Sequence, residues 1–176
     1  MKVQIRQGVF ETNSSSTHAI SICEYHSNVE LPEVVKFESN QEFGWEFEDY
    51  TDVYSKAYYL WLAICYMYNT PKDEDKFLEA KATLTQYLEN IGVRAEFDEI
   101  DYKELPWNPE KRYLEIEGYI DHPGDLYEMV DALLEDPNLL YGYLFNDHSM
   151  ISTGNDNDDR GIEYAKDAIF SVYKGN

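Results

Sequence analysis

Basic residues are scarce in this chain: 14 Lys and Arg stand against 35 Asp and Glu in 176 residues, a formal net charge of −21. A surface so short of cations repels a phosphate backbone, so direct binding of duplex DNA is not expected. Cysteine is equally sparse. Cys23 and Cys65 each sit in an apolar run and form no Cys-x-x-Cys pair and no Cys/His cluster. No metal site is therefore expected, and two buried free thiols in a reducing compartment are. Long apolar runs are also missing. The longest, around Tyr58 to Met67, is too short to span a bilayer. The start, Met1-Lys2-Val3-Gln4-Ile5-Arg6, alternates and builds no signal-peptide core. These absences point to a soluble protein of the cytoplasm without membrane contact. A Walker loop, GxGxxG, HExxH, GxSxG and a zinc finger are absent, so no familiar enzyme class and no cofactor follow from motif.

Aromatic residues, by contrast, are plentiful. They make up 15% of the chain, and 16 residues are Tyr. A disordered acidic chain is poor in aromatics, so this one is expected to fold. Its length fits a single domain, residues 1–176, with one hydrophobic core. The charge is unevenly spread. Residues 1–23 carry Lys2 and Arg6 against Glu11, a net of +1, which leaves −22 for the acidic body of residues 24–176. One reading of that body is solubility. Another is mimicry, with carboxylates filling a basic groove made for nucleic acid.

Local patterns predict an α+β fold: an N-terminal β-hairpin and a small, mostly antiparallel sheet packed against about four helices. Val3, Ile5 and Val9 alternate with polar residues, and Ile20 and Ile22 resume the alternation after a polar link over Glu11–Thr17. Val34–Phe37 reads as a strand. Residues 39–50 read as an edge strand or a loop. A helix is predicted over 51–68 with Thr51 as its N-cap. A second begins at Thr70-Pro71 and stops at Gly92. Strands are predicted at 93–97, 113–120 and 150–153, and helices at 125–134 and 162–173. Pro106-Trp107-Asn108-Pro109 breaks the chain.

Three polar constellations stand out. The first is Glu11-Thr12-Asn13-Ser14-Ser15-Ser16-Thr17-His18. In a functional version, a hydroxyl of Ser14, Ser15 or Ser16 serves as nucleophile or phosphate ligand and His18 as base. The plainer version is a solvated turn whose side chains bond their own backbone. The second is Tyr119-Ile120-Asp121-His122-Pro123-Gly124, which offers His122 as a second base or simply a surface turn. The third, Thr153–Gly161, has the first, third and sixth positions of a calcium loop at Asp156, Asp158 and Gly161. It has Arg160 at the fifth position, however, and is better read as a polar loop.

The run Arg6-Gln7-Gly8-Val9-Phe10-Glu11-Thr12-Asn13-Ser14-Ser15-Ser16-Thr17-His18 resembles the opening of small proteins from phages and mobile elements of Gram-positive bacteria. Ile120-Asp121-His122 and Thr153-Gly154-Asn155-Asp156-Asn157 resemble further signatures of that group. Some phage proteins of this size and acidity are anti-CRISPR proteins that inhibit type II, Cas9-type effectors, and the chain is similar to those. The resemblance implies a partner with a basic groove for guide RNA and target DNA. Two modes follow. The acidic body blocks that groove, or it docks the effector while the hairpin displaces or truncates guide RNA. In the second mode Lys2, Arg6, Glu11, Thr12, Asn13 and Thr17 contact RNA or partner, and Ser14, Ser15, Ser16, His18 and His122 carry any cutting. The competing reading is a stand-alone enzyme on a nucleotide or phosphoester, with His18, His122 and Asp156 in one cleft.

Overall fold

The computed structural model describes residues 16–44, 46–105, 108–121, 126–155 and 164–174. They form an α+β fold. In chain order the elements are β1 (Ser16–Cys23), β2 (Val34–Phe37), β3 (Glu42–Phe43), β4 (Glu48–Tyr50), α1 (Val53–Met67), a single 3₁₀ turn (Pro71–Asp73), α2 (Glu74–Asn90), β5 (Arg94–Phe97), β6 (Tyr102–Leu105), β7 (Asn108–Leu114), β8 (Tyr119–Ile120), α3 (Tyr127–Glu135), α4 (Pro137–Phe145), β9 (Met150–Asn155) and β10 (Ala168–Lys174). The main sheet has the order β10-β1-β9-β4 and is antiparallel throughout. Three two-stranded pairs surround it: β2 with β5 and β3 with β8, both parallel, and β6 with β7, antiparallel.

Helix α1 is the centre of the molecule. Its residues Ala57 and Tyr59–Cys65 are buried, and it touches β2, β8 and all three other helices. A helix apolar on every side belongs inside, which the run YYLWLAIC supplies. Asp52, not Thr51, caps it: the Asp52 carboxylate accepts from the backbone N–H of Tyr54 (3.0 Å) and Ser55 (2.9 Å). Helix α2 ends as expected at Gly92, whose φ of +80° suits glycine. The Gly92 N–H bonds the Glu89 carbonyl and the Val93 N–H bonds that of Leu88, closing the helix end.

Several expectations change. The second hairpin strand is β1, but it begins at Ser16, so Ser16 and Thr17 belong to the strand and not to the polar link. The first strand, residues 3–9, and residues 11–15 lie outside the described residues. Among those described, both edges of β1 are taken, by β9 from Ser16 to Ser21 and by β10 from His18 to Cys23. The helix expected over 162–173 is replaced, from Ala168 on, by strand β10. Phe170 and Val172 face inward, and Ile169 and Tyr173 are 62% and 55% exposed. Pairing to the buried β1 outweighs local helical spacing there. The strand expected over 113–120 is two strands, β7 and β8, with different partners. Helix α4 was not expected at all. It carries Gly142 against β1, where an added Cβ would lie 2.3 Å from the Cys23 carbonyl oxygen.

Lys56 is buried in α1, and it has no carboxylate partner among the described residues. Its ammonium donates to the carbonyls of Asn146 (2.9 Å) and Ser149 (3.2 Å), pinning the turn between α4 and β9 to the central helix. Burial pushes its pKa down to about 8, against the opposing pull of Asp52, Asp147 and Cys23. Between that value and the ordinary 10.5 the unfolded chain binds more protons than the folded one, so stability rises with pH across this window. Relative to Lys56→Met, the native chain should therefore gain about 2–3 kcal/mol between pH 8 and pH 10.5. Urea unfolding of both proteins at several pH values checks this, and the difference cancels the tyrosines. Parallel pH curves would mean that Lys56 is solvated.

Candidate functional site

Strand β1 is buried on both faces, yet it carries Ser16, Thr17, His18 and Ser21. Buried polar groups require partners, and here they come from distant elements. The Ser16 hydroxyl donates to the Asp121 carbonyl just after β8 (3.0 Å). His18 Nε2 lies 3.3 Å from Ser16 Oγ, and the Tyr59 hydroxyl of α1 lies 3.1 Å from His18 Nδ1. The Ser21 hydroxyl accepts from the Ala165 N–H (3.2 Å). The Cys23 N–H donates to Ser149 Oγ (2.8 Å), whose own proton goes to the Gly142 carbonyl.

The proton directions matter for chemistry. A serine hydroxyl has one proton, and Ser16 gives it to Asp121. Its oxygen therefore accepts from Nε2–H, which assigns the tautomer. Nδ1 is then the acceptor and Tyr59 the donor. In this polarity the imidazole is not a base toward Ser16, because its proton already points at that oxygen. Ser16 and His18 are both 0% exposed, so neither meets solvent. Burial holds the Tyr59 hydroxyl well above its ordinary pKa, keeping it a neutral donor. What the arrangement does, as it stands, is tie β1 to α1 and β8.

Of the residues singled out in the sequence, Ser16, Thr17 and His18 are placed and buried, with Ser16 and His18 brought within hydrogen-bonding distance. Lys2, Arg6, Glu11, Thr12, Asn13, Ser14, Ser15 and His122 lie outside the described residues, as do 156–161 of the loop compared with a calcium site. Among the described residues no group of three or more His, Cys, Asp or Glu is arranged to hold a metal ion. No described helix is long and apolar enough to cross a membrane. Cys23 and Cys65 are buried free thiols, each with its pKa raised mainly by burial.

Two members of the polar framework were missed in sequence. Tyr59 is one aromatic among many in α1, and nothing local marks its hydroxyl. Asp98 closes a second knot: its carboxylate accepts from Trp61 Nε1 (2.7 Å) and from both the N–H (2.7 Å) and hydroxyl (2.6 Å) of Ser39. An Asp directly after a strand reads locally as a surface residue.

The Tyr59→Phe variant should lose about 1–2 kcal/mol in urea unfolding, the net worth of a buried hydrogen bond. Diethyl pyrocarbonate should modify the exposed His26 and His148 in the folded protein and spare His18, as read by peptide mass spectrometry. Rapid labelling of His18 would mean that β1 is open. As to relatives, no protein-family model, curated protein or solved structure matches this chain.

Proposed function

We propose that this chain is a docking protein without catalytic activity of its own. Its acidic body occupies a basic, nucleic-acid-binding surface of a partner protein. The resemblance of residues 6–18 to small phage and mobile-element proteins, some of which, at this size and acidity, are anti-CRISPR proteins, makes a Cas9-type RNA-guided nuclease the partner to test. The observation that carries this reading is the charge. With 35 acidic residues against 14 basic ones, exposed carboxylates occur on β3, β4, α2, β5 and α3. Such a field steers encounter with a basic groove and disfavours bare nucleic acid.

Between the two modes, the buried pair favours blocking over cutting. Ser16 and His18 have no access to a phosphodiester, and the serine proton is committed to Asp121. The stand-alone phosphoester enzyme draws no support either, since it needs His18 in an open cleft. Occupying a groove requires only shape and charge, and both lie on the outside of the body.

In a target-DNA cleavage assay with Cas9-type effectors and their guides, added protein should stop cleavage and leave the guide full length on a denaturing gel. Inhibition should weaken steeply as salt rises, and Ser16→Ala should inhibit as well as the native chain. A shortened guide would restore the cutting mode. Cleavage untouched across several effectors would sink the reading.

A further inference from the structure

The acidic surface is not uniform. Several grooves among the described residues combine carboxylates with apolar side chains. One, of about 660 Å³, lies past the ends of β2 and β5. Three of its five acids are engaged, Asp98 by Trp61 and Ser39, Glu115 by Lys103, and Glu38 by Asn40 (3.4 Å), and Glu99 and Glu117 complete its wall. A second, of about 470 Å³, lies where the end of α1 meets α2 and α3. Its lining includes Met67, Ala80 and Leu134 and the carboxylates of Glu79, Asp131 and Glu135. None of these three carboxylates has an ion pair among the described residues. Lys76, which also lines the groove, is 65% exposed and lies 3.9 Å from Asp73.

We infer that this inter-helical groove is the specific docking point of the body and receives an arginine- or lysine-bearing segment of a protein partner. The inference rests on the reading of the body as a docking module. Long basic side chains are apolar along the stem and charged at the tip. A groove with Met67 and Leu134 in its lining, and with carboxylates that have no ion pair among the described residues, matches both parts, stem on Met67 and Leu134, tip toward Asp131 and Glu135. Its volume falls within the roughly 300–1,000 Å³ of ligand-holding clefts. The local field is negative enough to register on a neighbour: burial, reinforced by Asp131, Glu79 and Asp73, holds the Tyr68 hydroxyl above its ordinary pKa. Each groove carboxylate is exposed and each helix is otherwise well anchored, so charge-neutral variants fold.

The test is an NMR titration of the full chain with acetyl-Ala-Arg-Ala-amide, with the norleucine analogue as uncharged control. Shifts should concentrate on Met67, Ala80, Asp131 and Leu134, and the norleucine peptide should bind several-fold more weakly. The double variant Asp131→Asn/Glu135→Gln should weaken the arginine peptide about three- to tenfold. Glu30→Gln/Glu33→Gln, which removes equal charge before β2, should not. Shifts spread over the acidic surface, or equal losses in both variants, overturn the inference. If no nuclease is inhibited but the arginine peptide maps to the groove, the inference stands and the partner is another protein. If a nuclease is inhibited equally by the groove variant and its shifts are dispersed, the groove inference falls and the proposed function stands.

Discussion

Strand β1 must be buried on both faces while carrying hydroxyl and imidazole side chains, and the rest of the structure answers that demand. Each polar atom left without a partner in such a place would cost on the order of 1–3 kcal/mol. The partners are Tyr59 from the central helix, the backbone after β8, Ser149 from the turn after α4, and the Ala165 N–H ahead of β10. Four remote parts of the chain thus converge on one eight-residue strand. No buried side-chain nitrogen or oxygen among the described residues lacks a hydrogen bond. The same principle governs Lys56 and Asp98, two charged groups held inside by backbone carbonyls in one case and by three donors in the other.

This internal use of polarity separates two roles that the sequence runs together. Ser16 and His18, which look like reagents on paper, are struts that hold the sheet to α1 and β8. Under the proposed function the carboxylates, which look like mere solubility, are what faces a partner. An inhibitor that acts by occupancy has no need to expose a nucleophile. It needs a rigid body, and the aromatic cluster of Phe37, Trp61, Phe77 and Phe97 supplies one behind the acidic surface.

Legibility in the sequence followed the range of the interactions involved. Val34–Phe37, the body of α1 and the Gly92 stop were read from neighbours within a few residues, and those features depend on such neighbours. Helix α4 was missed although Asp136-Pro137 is a start signal and the Asp136 carboxylate does accept from the Asn138 N–H (2.8 Å). Its apolar run NLLYGYLF has no face, because it is buried all round. Strand β10 was read as helix because its inward set, Ala168, Phe170 and Val172, overlaps a helical spacing and only the edge of β1 decides between them. The site was the least legible part. A run of Ser and Thr ending in His reads alike whether it faces water or lies in the middle of a sheet.

The position of β1 in the sheet has a consequence for how the chain is made. Its ladder partners are Met150–Asn155 and Ala168–Lys174, so the first described strand is completed by the last two. During synthesis β1 is made before either ladder partner and waits without them until β9 and β10 have followed. Such long-range pairing is slow to form and exposed to wrong partners while it waits. The hydroxyls and imidazole that later become struts also keep this otherwise apolar strand hydrated during that interval, so the residues that fasten the finished sheet are the ones that protect it before it exists.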